Sequence, residues 1–128
     1  MDYIALAGRV FFAAIFIAAS PRHFSREGIQ HAADLGVPLA WLLVPCSGAM
    51  AFTGGLSILL GFHPRLGAWL LVAFLVPVTV MMHPFWRMTD PILAHTHRAM
   101  FFKNLSMLGA ALLITRIGVG PLAGRSGL

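Results

Sequence analysis

The sequence predicts an all-α integral membrane protein, a four-helix bundle whose transmembrane helices run up and down in antiparallel order. Three observations predict it. Hydrophobic residues make up 59% of the chain and charged residues only 10%, against the roughly 25% charged residues of an ordinary soluble domain. The apolar residues gather into four stretches, and each is long enough to supply the ~20 residues that a helix needs to cross hydrocarbon. None of the four alternates apolar and polar residues with the period of two that a barrel strand shows. The 128 residues are expected to form one transmembrane domain, 1–128, with no length left for a separate catalytic module.

The first helix is predicted at about 3–20 (YIALAGRVFFAAIFIAAS), broken only by Arg9 and stopped by Pro21-Arg22. Ala18-Ala19-Ser20 would suit a signal peptidase, but Asp2 opens the segment and its first basic residue comes only at position 9. The helix is therefore expected to be retained. The second, about 39–62, contains Pro45, Gly48 and the pair Gly54-Gly55. His63-Pro64-Arg65 breaks the pattern, because a proline and a charge together punctuate an apolar run. The third, about 66–82, carries Pro77, and the fourth, about 99–117 (AMFFKNLSMLGAALLITRI), runs into a Gly-rich tail read as weakly structured. Gly48, Gly54, Gly55 and Ser57 in the second helix, and Ser106, Gly109 and Ala110 in the fourth, are expected where helices touch. Small residues let backbones approach closely, and lipid supplies no hydrophobic drive of its own.

Alternating crossings put the loops 21–38 and 83–98 on one side of the membrane, and the turn 63–65 with both termini on the other. The two-loop side carries Arg22, Arg26, Arg87 and Arg98, with Lys103 close by; the other side carries Arg65, Arg116 and Arg125, with Arg9 nearby. Such an even split leaves the orientation open. The net charge of +5 comes from residues scattered singly, which suits anchoring to anionic headgroups and excludes a nucleic-acid partner. Cys46 is the only cysteine, so neither an internal disulfide nor a dithiol couple exists.

Chemistry must come from polar groups on or beside the helices. Five of the six histidines fall on the two-loop side: His23, His31, His83, His95 and His97. Antiparallel geometry brings His23, His83, His95 and His97 to one level, where converging imidazoles can bind a metal, ligate haem or hydrogen-bond a quinone carbonyl. The plain alternative is that they are amphipathic residues in a wet headgroup layer. Met81 and Met82, with Met88 and Met100 nearby, add soft thioethers that suit Cu(I), although methionine in an apolar helix is ordinarily packing material. Arg9 and Lys103 lie inside apolar segments, where a cation costs a few kcal/mol unless it faces the bundle interior or snorkels. Arg9 is offered Asp2, backbone carbonyls or a bound ligand as its partner. Asn104 can join helices by hydrogen bonds or hold a ligand.

Several short motifs carry a family resemblance. They are Gly8-Arg9 before an apolar run, Gly54-Gly55-Leu56 through Leu60-Gly61, His83-Pro84-Phe85-Trp86 leading to Asp90-Pro91, and Phe102-Lys103-Asn104-Leu105 opening a helix that contains Gly109. In these the chain resembles the DoxX family of small four-helix bacterial membrane proteins, from about position 8 to position 114. Where many members have Gly and Lys after the first helix, this chain has Ser20-Pro21-Arg22-His23-Phe24, and Ala51 stands where many have Glu. The resemblance implies a multi-pass protein of the bacterial cytoplasmic (inner) membrane. The family takes its name from a membrane subunit associated with a thiosulfate:quinone oxidoreductase, so a redox association is implied as well.

Three functions follow as expectations. In the first, the chain is a membrane subunit that contacts quinone or anchors an oxidoreductase partner, with Arg9, His83, Trp86, Lys103 and Asn104 as the cofactor-binding residues. His83 and Lys103 would then hydrogen-bond the quinone oxygens while Trp86 stacks or caps. The second is a metal-handling or transport protein that uses the His/Met-rich side, with His23, His83, His95 and His97 as ligands for copper or haem, acting as a homo-oligomer. The third is a non-catalytic scaffold. A self-contained enzyme is the least expected, since no nucleophile–base pair, metal motif or dithiol stands out.

Overall fold

The computed structural model describes residues 2–119; the expected Gly-rich tail and Arg125 lie outside them. All regular structure among the described residues is helical, in the order α1 (Tyr3–Ala19), a 3₁₀ turn (Ser20–Phe24), α2 (Arg26–Asp34), α3 (Ala40–Leu60), α4 (Pro64–Met82), a second 3₁₀ turn (Phe85–Arg87) and α5 (Pro91–Ile117). Four segments built on α1, α3, α4 and α5 are long and apolar enough to span a membrane.

Asp2 starts α1: its Oδ1 accepts hydrogen bonds from the amides of Ile4 and Ala5 at 3.0 and 3.1 Å. That carboxylate is thus committed to a helix cap, where it also faces the positive end of the helix dipole. The loop expected at 21–38 contains the short helix α2, capped by Ser25, whose Oγ accepts from the Gly28 amide at 3.0 Å. Ala32 packs with Ala40 and Val44 of α3, while Ile29 flanks them. Most of the remaining residues of α2 are polar, and the helix packs on α3 and the first 3₁₀ turn as an amphipathic cover.

α3 ends on Gly61, whose φ of 69° is left-handed backbone that glycine adopts without Cβ strain. Ser57 Oγ lies within hydrogen-bond reach of the Phe62 and His63 carbonyls, which fixes the tight turn into α4. α5 begins at Pro91 rather than near position 99. Asp90 caps it, accepting from the Ile92 amide at 3.0 Å, with Pro91 in the first turn. Apolar content marks only the part of a helix that lies in hydrocarbon. The polar turns carrying His95, His97 and Arg98 are helical too, and they extend α5 beyond its apolar run.

Glycines set the closest helix contact. A Cβ on Gly54 would stand 2.8 Å from the Gly67 carbonyl oxygen, and one on Gly67 would collide with the Ser57 side chain. α3 and α4 therefore touch backbone to backbone in the half of the bundle nearer the turn between them. Around this contact Ile58, Ala68, Leu71, Leu75 and Ala111 are fully buried. On α5 two of the three expected small residues make no close contact: nothing lies within 4 Å of a Cβ on Gly109, and Ser106 is exposed, while Ala110 is half-buried. Ala111 turns inward instead, leaving Gly109 on the lipid face.

A candidate headgroup site in the bundle

Away from the glycine contact, the other halves of α3 and α4, with α1, α2 and α5, line a half-open cavity of about 700 Å³. Phe16, Phe74 and Leu75 supply part of its apolar wall. Its polar groups are Arg22, His23, His31, Ser47, His83, His97, Lys103 and Asn104. Five of the sequence-predicted site residues thus share one cavity: His23, His83, His97, Lys103 and Asn104.

The strongest contact among them joins His83, which ends α4, to His97, two turns into α5. Their Nδ1 atoms stand 3.1 Å apart and their ring centroids 5.2 Å apart. At that distance one Nδ1 donates and the other accepts, so at least one of the two rings is neutral. His23 is held from below: its Nδ1 donates to the Ala19 carbonyl at 3.2 Å, and its ring meets Phe74 edge to face at 5.5 Å. Gly48 makes room for it, because a Cβ there would collide with the Cβ of His23. Gly28 serves likewise beneath the Arg22 backbone. The two glycines let the 3₁₀ turn sit flat on α3 and α2, which carries Arg22 and His23 to the cavity wall.

Asn104 is only 5% exposed. Its amide makes no hydrogen bond to any described residue, yet its polar atoms are not sealed among the protein's unpartnered buried atoms. The amide is therefore presented to the cavity, with donor and acceptor both unspent.

Three predicted residues lie elsewhere. Trp86 does not line the cavity; it is 51% exposed and packs edge to face on Phe85 and Phe101, with centroids at 5.3 and 5.8 Å. The 3₁₀ turn after His83 swings the indole into this aromatic cluster on the loop side. His95 is exposed, since it precedes His97 by two positions and so points to a different face of α5. Arg9 lies near the other end of the bundle, and Asp2 is not its partner. Its Nε and Nη1 are buried without a hydrogen bond in the structure.

Sequence reasoning missed Arg22 and His31 as members of this site. The signal for His31 was present: Ser25 as a helix cap, followed by inward-facing Gly28, Ile29 and Ala32. The methionines show a pattern that no local spacing displays. Met50, Met81, Met82, Met100 and Met107, five of the seven in the chain, line the cavity, and Met88 does not.

The lining is rich in donors and includes two basic side chains, Arg22 and Lys103, both of them exposed residues. It holds no carboxylate among the described residues. Such a wall suits electron-rich oxygen. Among the described residues no group of three or more His, Cys, Asp or Glu is placed to hold a metal ion.

The fold and this cavity define a class: a multi-pass four-helix membrane protein with a polar site at one end of its bundle. The DoxX family model matches residues 4–84, and the chain belongs to the DoxX family. The chain is 30% identical over 120 residues to the inner membrane protein YphA of Escherichia coli (strain K12), an alignment covering 92% of this chain and 85% of that protein. No solved structure matches the chain. It is a multi-pass protein of the inner membrane.

Proposed function

We propose that this chain is a quinone-contacting membrane subunit of a redox system. The observation that carries the reading is the Asn104 amide, unpartnered and facing an apolar cavity beside Lys103 and the His83–His97 pair. A quinone headgroup offers two carbonyl oxygens to such donors and a flat ring to apolar walls. An isoprenoid tail is irregular and flexible, and methionines accommodate that shape well. The residues assigned to the headgroup are His83, Lys103 and Asn104; Arg9 and Trp86, which lie outside the cavity, are not assigned to it. A partner oxidoreductase would supply the other half of the reaction, since the cavity holds donors rather than a nucleophile with its base.

Binding of a photoreactive alkyl quinone to the purified protein in liposomes tests the reading. Labelling should map to α4 and α5 near His83 and Asn104, and excess unlabelled quinone should suppress it. Labelling spread evenly over lipid-facing residues, with no competition, would overturn it.

A further inference from the structure

We infer that the cavity takes its ligand sideways out of the bilayer, through a seam between α1 and α5, and leaves the ligand's apolar chain in that seam. The inference rests on the quinone reading above for the identity of the ligand and adds its route.

The order of packing leaves the seam. Among the described residues α1 packs on α3 and the first 3₁₀ turn, α3 on α4, and α4 on α5, but no packed interface joins α5 back to α1. Both of these helices line the cavity all the same, with Ile15 and Ala19 from α1 and Met100, Asn104 and Met107 from α5. Ile15, Ala19 and Met100 are exposed as well, so they form a rim rather than an inner wall. All three lie in segments long and apolar enough to span a membrane, and the rim therefore opens towards lipid. Leu43 and Ala73 are also exposed lining residues, but the helices that carry them, α3 and α4, are packed together.

The cavity has a second rim of different chemistry. At the loop end its exposed lining residues include Arg22 and His31, whereas Ile15, Ala19 and Met100 make the seam apolar. A quinone dissolved in the bilayer that entered at the loop end would first expose its chain to water, which the hydrophobic effect opposes. Entry through the seam keeps the chain in hydrocarbon throughout. The volume of about 700 Å³ is usual for a small-molecule site. It takes a ring and the first part of a chain, and an open seam lets a long isoprenoid remainder stay in lipid.

The test uses Ala19→Cys/Met100→Cys, with Cys46→Ala, in liposomes, bridged across the seam by short bis-maleimides. Entry of the photoreactive alkyl quinone is followed by flashes at timed intervals, and release by chase with unlabelled quinone. Bridging before the quinone is added should slow labelling roughly tenfold or more, as an added barrier to association does. Bridging after loading should slow release by a similar factor. The pair Ile15→Cys/Met107→Cys serves should the first fail to assemble or to bridge. Entry at the unbridged rate, or rapid release after bridging, overturns the inference and leaves the quinone reading standing, because a closed entrance must slow exit as well. Absence of competable labelling in the unbridged parent protein overturns both.

Discussion

At the level of single residues, Asn104 separates what folding needs from what binding needs. The Asn104 amide has no partner among the described residues and stays accessible from the cavity, so replacing it with leucine should cost the ligand-free bundle little. Asn104→Leu should therefore melt close to the parent in detergent, yet bind an alkyl quinone roughly tenfold more weakly, by the loss of a buried hydrogen bond. Parallel melting and binding curves check this; equal affinity in the two proteins would remove Asn104 from the site. His83 and His97 make a different point. Because their Nδ1 atoms are hydrogen-bonded to each other, His83→Leu and His97→Leu should not add. A double-mutant cycle on thermal stability is expected to show a coupling of ~0.5–3 kcal/mol, the range for residues in direct contact. Additive effects would mean that the pair does not act as a unit.

Among the helices, two glycines that look alike in sequence have opposite roles. Gly54→Ala drives a methyl group against the Gly67 carbonyl oxygen, 2.8 Å away. Backbone cannot yield as a flexible side chain does, so a loss of about 1–3 kcal/mol is expected. Gly109→Ala meets nothing within 4 Å and should be neutral or stabilising by up to ~1 kcal/mol, through helix propensity alone. Unfolding by denaturing detergent, compared for the two variants, decides between them. α2 depends on its cap in the same local way. Ser25→Ala should cost that helix ~1 kcal/mol, seen as faster amide exchange across Arg26–Asp34 with the spanning helices unchanged. Uniform loosening of all helices would show that α2 is not a separate cover.

Across the molecule, the arrangement of crossings places α2 and the start of α5 on one side and the turn at Gly61–His63 on the other. With Cys46 replaced by alanine, Gln30→Cys and His95→Cys should label together with a membrane-impermeant thiol reagent in sealed vesicles. Phe62→Cys should label only when the vesicles are opened, or the reverse if the vesicles are inverted. Labelling of Gln30→Cys and Phe62→Cys from the same side would refute the antiparallel order. The evenness of Arg and Lys across the two sides is why this needs measuring at all, since charge gives no bias from which to read an orientation.

The four apolar runs, their breaks and the shortage of charge determined the membrane bundle by themselves, because a backbone in hydrocarbon must satisfy its own hydrogen bonds and a helix of that length does so. Gly48 and Gly54 at helix contacts were legible for a related reason, as close approach has a residue signature. Tertiary structure alone decided the rest. It turned Gly109 to lipid and moved Trp86 and His95 out of the group that the sequence had collected. It also gathered five methionines, Arg22 and His31 around the His83–His97 pair. Those groupings depend on how far each helix is rotated about its axis, and a turn of one residue, about 100° from the helical repeat of 3.6, swaps a cavity wall for a lipid face. Local sequence fixes which residues a helix contains, whereas the packing of its neighbours selects the face it presents.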